Sequence, residues 1–217
     1  SEKYLDILRK EVGIMYTFDA QSLTARENYK LLIGSIIPRP IAFVTTLNQD
    51  ASVNAAPFSF FNIVNNHPPM VAIAVQRAGG KRKDTALNIE RTGDFVVHIT
   101  DEDNVQDINE TAAPLAYGDS ELSRTELSLL TSTTIKTPGI KDAKMRFECK
   151  LSQMILLGDV LDGADLIIGE IVTYHIDDSI YEGDFKINPH ALQAVSRLAG
   201  NDYAKLGGIF TIKRPEK

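Results

Sequence analysis

The chain has 217 residues, of which 43% are hydrophobic and 24% are charged, and its formal net charge is -6. This balance allows a sizeable buried core, and the length favours one domain over residues 1–217. The acidic charge argues against a general nucleic-acid binder, which needs a broad basic surface. No apolar run is long enough to span a bilayer, so we also expect no membrane insertion.

Residues 1–28 are predicted to form a helical extension at the start of this domain. Leu5, Leu8 and Val12 recur at helical spacing, and Gly13 follows as a stop signal. The segment is charged from its second residue and lacks the apolar region of a signal peptide. We therefore expect a cytoplasmic protein.

The composition of the sequence changes from Tyr29 onward, where β-branched and aromatic residues become frequent. Such runs, separated by turn residues, are typical of β-strands. The predicted strands are "IAFVTTL" (41–47), "PMVAIAVQ" (69–76), "DFVVHIT" (94–100), "AKMRFECKLSQMILLG" (143–158) and "DLIIGEIVTYHI" (165–176).

Three stretches among these strands carry helix signals. Asp84 is a plausible N-cap, and Asp103 and Gln106 have the spacing of a capping box. Pro189 lies where a helix could begin, and Gly200 follows as a stop signal. The predicted helices cover residues 84–93, 101–112 and 188–200.

The strands do not alternate regularly with helices, so a doubly wound parallel sheet is disfavoured. We expect a mainly β fold, an antiparallel barrel with a few added helices. The least regular segment, residues 114–143, has the length of a functional loop. It could be a dimer arm or a lid over a site, and the sequence does not decide between them.

Familiar catalytic and metal-binding signatures are absent, including dinucleotide-binding, phosphate-loop, zinc-protease and nucleophile-elbow motifs. The four histidines never fall at helical i,i+4 spacing, so no metal site is indicated. His98 and His175 lie in strand-like runs, where a hydrogen-bonded sheet histidine is the favoured interpretation. The single cysteine, Cys149, cannot form an internal disulfide and is expected to be a packed core thiol.

One candidate binding stretch is "SVNAAPFSFFNIVNNHPPM", residues 52–70, which is unusually rich in small residues for a strand. Asn54, Ala55, Ala56 and Ser59 would leave the backbone accessible to a flat ligand. Composition alone favours the simpler interpretation, a bend at the edge of a sheet.

The second candidate is "RAGGKRKDTALNIE", residues 77–90, where a glycine-rich turn and three cations precede a predicted helix. A helix N-terminus favours an anion, and the Thr85 hydroxyl could add a donor. Lys81, Arg82 and Lys83 could supply positive charge. A solvated basic loop is an equally good interpretation of the spacing alone.

Taken in order, three blocks resemble the flavin reductase-like, FMN-binding split-barrel family, which includes flavoredoxins and the reductase components of two-component monooxygenases. The blocks are "YKLLIGSIIPRPIAFVTT", "NAAPFSFFNIVNNHPPMVAIAV" and "KRKDTALNIERTGDFVVHI". The resemblance continues in "SRLAGNDYAKLGGIFTIKRP" and covers nearly the whole chain from Tyr29.

The resemblance implies an antiparallel Greek-key split β-barrel, a homodimer and an FMN site near the subunit interface. It implies no acid–base side chain, because hydride transfer is the chemistry of the flavin. His190, Arg197 and Tyr203 would line the face on which a nicotinamide or another electron partner docks. The implied FMN-binding residues are Arg39, Asn54, Ala55, Ala56, Ser59, Phe60, Arg77, Lys83, Asp84 and Thr85, with Lys81 as a possible addition.

Three functions are compatible with this resemblance. The first is an enzyme in which NAD(P)H reduces FMN, and the reduced flavin serves a monooxygenase or another electron acceptor. The second is a flavoredoxin-like FMN electron carrier without its own nicotinamide activity. The third is a binding or structural module that has lost the cofactor.

Overall fold

The computed structural model of the chain describes residues 7–10, 13–77, 79–112, 122 and 125–215. These residues are organised in two compact units, Ser1–Ile37 and Pro38–Lys217, which are described separately below. None of the helices in the described ranges combines the length and the hydropathy that crossing a membrane requires.

The described part of the first unit begins with two paired strands, so the predicted N-terminal helix is wrong over residues 7–10, and its other residues before Gly13 lie outside the described ranges. Strand β1 (Ile7–Lys10) pairs antiparallel with β2 (Gly13–Tyr16), with Ile7 opposite Tyr16. The spacing of Leu8 and Val12 suits either structure, and short isolated helices are marginal in water. Gly13, which the sequence suggested as a helix stop, opens the second strand instead.

A helix does follow in this unit, α1 (Ala25–Ser35), although the change of composition at Tyr29 suggested strands from that residue onward. A capping box fixes its start. The Glu27 N–H donates to the Thr24 hydroxyl at 3.3 Å, and the Thr24 N–H donates to the Glu27 carboxylate at 2.8 Å. This local pattern was present in the sequence as Thr-x-x-Glu.

The second unit is built mainly from antiparallel strands, which confirms the predicted fold class. All five predicted strands are present. In chain order the strands are β3 (Arg39–Pro40), β4 (Ala42–Leu47), β5 (Val53–Phe58), β6 (Phe61–Asn66), β7 (Pro69–Gln76), β8 (Asp94–Ile99), β9 (Leu129–Leu130), β10 (Gly139–Ile140), β11 (Met145–Leu157), β12 (Ala164–Ile176), β13 (Val195–Arg197) and β14 (Tyr203–Lys205).

The large sheet has the order β5-β4-β8-β11-β12-β7-β6, and its neighbouring strands are antiparallel. Its two edge strands, β5 and β6, are joined by only Ser59 and Phe60. The Ala74 N–H of β7 donates to the Phe60 carbonyl at 2.8 Å, which extends the β6–β7 pairing into this connection. Because the connection is so short, the sheet must curl to bring its two edges together. This closure produces the split β-barrel.

The barrel interior is filled by inward-facing residues of these strands together with one face of α2 (Asp84–Thr92). Phe95 and Ile167 are fully buried there, as is Cys149. Burial also raises the pKa of the Cys149 thiol, which disfavours the reactive thiolate. The predicted core thiol is confirmed.

The two sheet histidines make hydrogen bonds, as predicted. Fully buried His98 donates from Nδ1 to the Phe43 carbonyl at 2.8 Å, and its Nε2 accepts from the Ile140 N–H at 2.8 Å. His175 contacts the Glu148 carboxylate through Nε2 at 2.6 Å. Within the described residues, no group of three or more His, Cys, Asp or Glu side chains could hold a metal ion.

Part of the irregular segment, residues 113–121 and 123–124, lies outside the described residues, so its predicted role as an arm or a lid stays a prediction. Its later part is held on the barrel by buried Glu148, which accepts backbone N–H bonds from Thr133, Thr134 and Ile135 at 2.6, 2.7 and 3.1 Å. Burial alone would raise the pKa of Glu148, but these bonds and the His175 contact outweigh it and lower that pKa.

The predicted helix over 188–200 is wrong in its second half. Helix α4 (Pro189–Leu192) stops at Gln193, which adopts a left-handed backbone with φ of 52°. Strand β13 follows, pairing Arg197 with both Arg39 and Tyr203. The pairing of β13 with the distant strand β3 and with the next strand, β14, overrides the helical spacing of the apolar residues.

Two helix starts also differ from prediction. Helix α2 forms as predicted, but its N-cap is Lys83 rather than Asp84. The N-cap of helix α3 (Val105–Glu110) is Asn104, whose side chain makes no capping hydrogen bond. The predicted capping box of Asp103 and Gln106 does not form, because the Asp101 carboxylate instead accepts the N–H bonds of Asp103 and Asn104.

Candidate functional site

The N-terminus of α2 presents unpaired backbone donors. Lys83, with φ of -75° and ψ of 151°, makes no side-chain cap, and its carbonyl accepts from the N–H groups of Ala86 and Leu87. Among the described residues, no acceptor faces the N–H groups of Asp84 and Thr85. The positive end of the helix dipole and these two donors favour an anion at this point.

The turn before this helix depends on two glycines. Gly79 and Gly80 both have positive φ, 58° and 79°, which disfavours other residues. The Gly80 N–H donates to the Leu161 carbonyl at 3.0 Å, and a side chain at Gly80 would crowd Leu161. The glycines thus place the basic residues at the start of α2.

Two of the basic residues are already paired with a buried carboxylate. Arg77 contacts Asp165 at 2.8 Å, and Arg82 contacts the other oxygen of Asp165 at 3.0 Å. Arg82 also binds Glu90 at 2.8 Å and lies 2.9 Å from the Met154 sulfur. Glu90 raises the pKa of Arg82 against the opposing effect of burial, and Asp165 adds to the increase.

These pairs leave Lys81 and Lys83 as the exposed cations of the turn, and neither forms an ion pair with a described residue. The Lys83 ammonium lies 5.6 Å from the centre of the Phe58 ring, a distance suited to a cation–π contact. Of these two cations, Lys83 is the N-cap residue of α2 and therefore lies beside the free helix donors.

The small-residue strand lies next to this helix end. It forms β5 at the edge of the sheet, where Ala55 is fully buried and Ala56 is half-buried. Ser59 and Phe60, which follow β5, are also half-buried. The structure thus brings the two stretches suggested by the sequence side by side. Their direct connection is a hydrogen bond of 3.0 Å from the Asn54 amide to the Thr85 hydroxyl.

This bond belongs to a buried polar network of Thr46, Asn48, Asn54, Thr85 and Asn88. The Thr46 hydroxyl accepts from the amides of Asn54 and Asn88, both at 3.1 Å, and Asn88 also donates to Asn48 at 2.7 Å. Both amide hydrogens of Asn54 are used within the network. Of the Asn54 side chain, the amide oxygen is the atom that makes no hydrogen bond to a described residue.

Three other predicted residues meet across the small sheet formed by β3, β13 and β14. The Arg197 guanidinium lies 4.4 Å from the centre of the Tyr203 ring, and Tyr203 donates to Asn109 at 2.9 Å. Buried Arg39, opposite Arg197, donates to the Leu198 carbonyl at 2.8 Å. This bond gives Arg39 a structural role between strands.

A cavity of about 340 Å³ adjoins this sheet, lined in part by Tyr203, Asn109 and Glu102. His190 is exposed in α4, where its N–H donates to the Asn188 side chain at 2.9 Å. Within the described part of the chain, His190 forms no hydrogen bond or ring contact with Arg197 or Tyr203. The structure therefore groups Arg197 with Tyr203 but not with His190.

The sequence did not reveal three residues that belong to the hydrogen-bond and ion-pair networks around the candidate site: Asn88, Thr46 and Asp165. Asn88 could have been found, because it lies three positions after Thr85 on the same face of α2. Thr46 gave no local signal, since a threonine in a strand is ordinary. Asp165 opens an apolar strand run, and its arginine partners are 88 and 83 positions away in the sequence.

Comparison with known proteins gives consistent matches over most of the chain. The flavin reductase-like domain model matches residues 33–190. The uncharacterized protein YwrF of Bacillus subtilis (strain 168) is 50% identical over 204 residues, which are 93% of this chain and 100% of YwrF.

Two solved structures are similar in both sequence and fold. Nitrilotriacetate monooxygenase component B from Bacillus cereus is 45% identical with a TM-score of 0.89, and the match covers 91% of this chain and 98% of that one. The 2-nitrobenzoate 2-nitroreductase NbaA of Pseudomonas fluorescens is 32% identical with a TM-score of 0.82, covering 92% and 96%.

Proposed function

Because this chain belongs to the flavin reductase-like domain family, we propose that it binds FMN and catalyses the reduction of FMN by NAD(P)H. The observation that carries the proposal is the hydrogen bond between Asn54 and Thr85. It joins a strand of small residues, suited to a flat ring, to a helix end suited to a phosphate.

The donor set at α2 fits a phosphate group. The N–H groups of Asp84 and Thr85, the Thr85 hydroxyl and the Lys83 ammonium would hold it. Asp84, exposed in the first turn, would contribute its backbone N–H rather than its carboxylate. Arg77 would act indirectly, because its pair with Asp165 fixes the turn.

The isoalloxazine ring would lie along the residues at the end of β5, where Ala56, Ser59 and Phe60 are half-buried. Backbone donors there would hydrogen-bond the ring edge and stabilise negative charge on the reduced flavin. Bound FMN would supply the hydride acceptor, and the residues at the end of β5 would orient its ring.

A nicotinamide donor would approach from the side of Arg197 and Tyr203. The Arg197 cation could meet a phosphate of NAD(P)H, and the Tyr203 ring offers a surface for stacking. His190 belongs to this proposal only through the family resemblance. We further propose a cytoplasmic homodimer with the flavin near the subunit interface.

The reduced flavin would serve a separate acceptor. The 45% identity to a monooxygenase component B supports a partner oxygenase that takes up reduced FMN. Because the 2-nitroreductase is 32% identical, direct reduction of a nitroaromatic compound is a second activity to assay.

Cofactor binding is tested by mixing the protein with FMN and separating it by gel filtration, followed by mass identification of the released flavin. We expect FMN to travel with the protein. A colourless protein that retains no FMN would support a module that has lost the cofactor.

Turnover is tested by following the oxidation of NADH and NADPH in air with a large excess of FMN over protein. We expect many cycles of nicotinamide oxidation per protein, because reduced flavin reoxidises in air. An FMN-loaded protein that oxidises neither donor would instead behave as the flavoredoxin-like carrier.

A further inference from the structure

The polar network behind α2 is almost inaccessible to solvent. Thr46 is fully buried on β4, and Thr85 is 2% exposed. Asn54 donates one amide hydrogen to each of these hydroxyls, at 3.1 and 3.0 Å. Asn88 donates to Thr46 from the helix side at 3.1 Å. Among the described residues, Asn54 is the side chain that donates to both threonine hydroxyls.

This arrangement determines what the Thr85 hydroxyl can do. A hydroxyl has one hydrogen to donate and two lone pairs, and Asn54 occupies one lone pair. The Thr85 hydrogen is thus left to donate, and no described residue offers it an acceptor. A buried donor without an acceptor is unfavourable, so an added acceptor at the helix end would be stabilised.

We propose that Thr46, Asn54 and Asn88 are positioning residues that orient the Thr85 hydroxyl as a donor to the flavin phosphate. They thereby make the site selective for FMN over riboflavin, which lacks the phosphate. This inference rests on the proposed function, because it needs a flavin at β5. Thr46 would influence the phosphate indirectly, since its hydroxyl is fully buried and accepts from Asn54 and Asn88.

The test compares two substitutions of Thr46 by titrating FMN and riboflavin against the protein and following flavin fluorescence. Thr46→Val keeps the side-chain shape but removes the oxygen that accepts from Asn54 and Asn88. We expect Thr46→Val to raise the Kd for FMN about tenfold more than the Kd for riboflavin, the loss expected for one charged hydrogen bond. Thr46→Ser keeps the oxygen and should restore the selectivity.

Thr45 provides a matched control on the same strand. It is also fully buried, but its hydroxyl donates to the Pro138 carbonyl at 2.7 Å and has no link to α2. Thr45→Val therefore removes a buried hydroxyl of the same kind. We expect the ratio of the two Kd values to stay at the wild-type value, even if the protein becomes less stable.

A second variant covers the case in which Thr46→Val does not fold. Asn88→Ala removes one donor to Thr46 from a helix position where alanine is favourable. We expect it to lower the selectivity for FMN in the same direction. Combining either variant with Thr85→Val should add no further loss of selectivity, because both act through the same hydroxyl.

The outcomes separate the inference from the proposed function. Equal weakening of FMN and riboflavin by Thr46→Val and by Asn88→Ala would overturn the positioning role while leaving flavin binding in place. Additive losses with Thr85→Val would also overturn it. Failure of the wild-type protein to bind either flavin would overturn the proposed function, and the inference with it.

Discussion

The basic residues before α2 differ in whether a carboxylate already pairs with their charge. Arg77 and Arg82 share the Asp165 carboxylate, whereas Lys83 lies at the helix end without an ion-pair partner among the described residues. The three consecutive cations of the turn are therefore not equivalent. We expect Lys83 to contribute more to phosphate binding than Arg82.

The double variant Lys83→Ala with Thr85→Ala tests this phosphate assignment. We expect its Kd for FMN to rise by about one hundredfold, because a charged donor and a hydroxyl are both lost. Riboflavin binding should change by less than about threefold, since riboflavin carries no phosphate. Both affinities can be measured by titration calorimetry.

Lys81→Ala is the control, because Lys81 is an exposed cation of the same turn. It removes the same charge and should change the Kd for FMN only slightly, in a way that salt suppresses. Equal weakening of FMN and riboflavin by the double variant would contradict the phosphate assignment.

His98 gives a prediction about pH. Burial lowers its pKa from 6.5 to about 3, and nearby Arg146 adds to this effect against the bond to Phe43. Because the folded-state pKa is the lower one, the unfolded state binds the proton more readily. The stabilising contribution of neutral His98 is complete above pH 6.5 and is lost as the pH falls toward 3, by about 1.4 kcal/mol per pH unit.

The measurement is nitrogen NMR of the His98 ring together with urea unfolding from pH 7 to pH 4. We expect a neutral ring with the proton on Nδ1 at pH 5, because Nε2 accepts from the Ile140 N–H. A charged His98 ring in the folded protein at pH 5 would refute this prediction.

At the scale of residues, the sequence predicted the local features of the site but not its long-range pairs. Lys83 and Thr85 could be proposed because a helix start depends on neighbouring residues. The neutralisation of Arg77 and Arg82 could not, because Asp165 comes from a strand more than 80 positions later.

At the scale of elements, Asp165 fixes the basic turn to β12. Asp165→Asn would leave Arg77 and Arg82 beside a neutral amide. The Arg77 side chain is mostly buried. We expect the free energy of unfolding to fall by about 3 kcal/mol, because breaking a buried ion pair leaves an uncompensated charge. Urea denaturation monitored by circular dichroism measures this loss.

Asp184→Asn provides the comparison, because Asp184 pairs with Lys186 at 3.4 Å on the exposed surface. It should change the stability by less than about 0.5 kcal/mol. A similar effect of the two substitutions would show that the Asp165 pairs do not stabilise the fold.

Elements were predictable where one regular pattern dominated. The long strands β11 and β12 and helix α2 follow directly from β-branched runs and from apolar spacing. Residues 188–200 were misassigned because their helical spacing competes with the pairing of Arg197 to Arg39 and Tyr203. The pairing with Arg39 depends on a strand that is distant in the sequence.

At the scale of the whole molecule, the two edge strands of the large sheet face different surroundings: β5 lies beside α2, where Asn54 donates to Thr85. Edge strand β6 leaves Ile63 75% exposed and Val64 50% exposed, an apolar surface suited to burial against another subunit. Light scattering after gel filtration should therefore give twice the mass of one chain. The mass of a single chain at micromolar concentration would contradict the proposed homodimer.

The most direct test of the proposed function is anaerobic stopped-flow mixing of the FMN-loaded protein with NADH or NADPH. We predict that at least one donor bleaches the absorbance of the oxidised flavin in a single turnover, at a rate that rises with donor concentration and saturates. Dithionite provides the control that the bound flavin can be reduced. Bleaching by dithionite but by neither nicotinamide would contradict the proposed reductase activity.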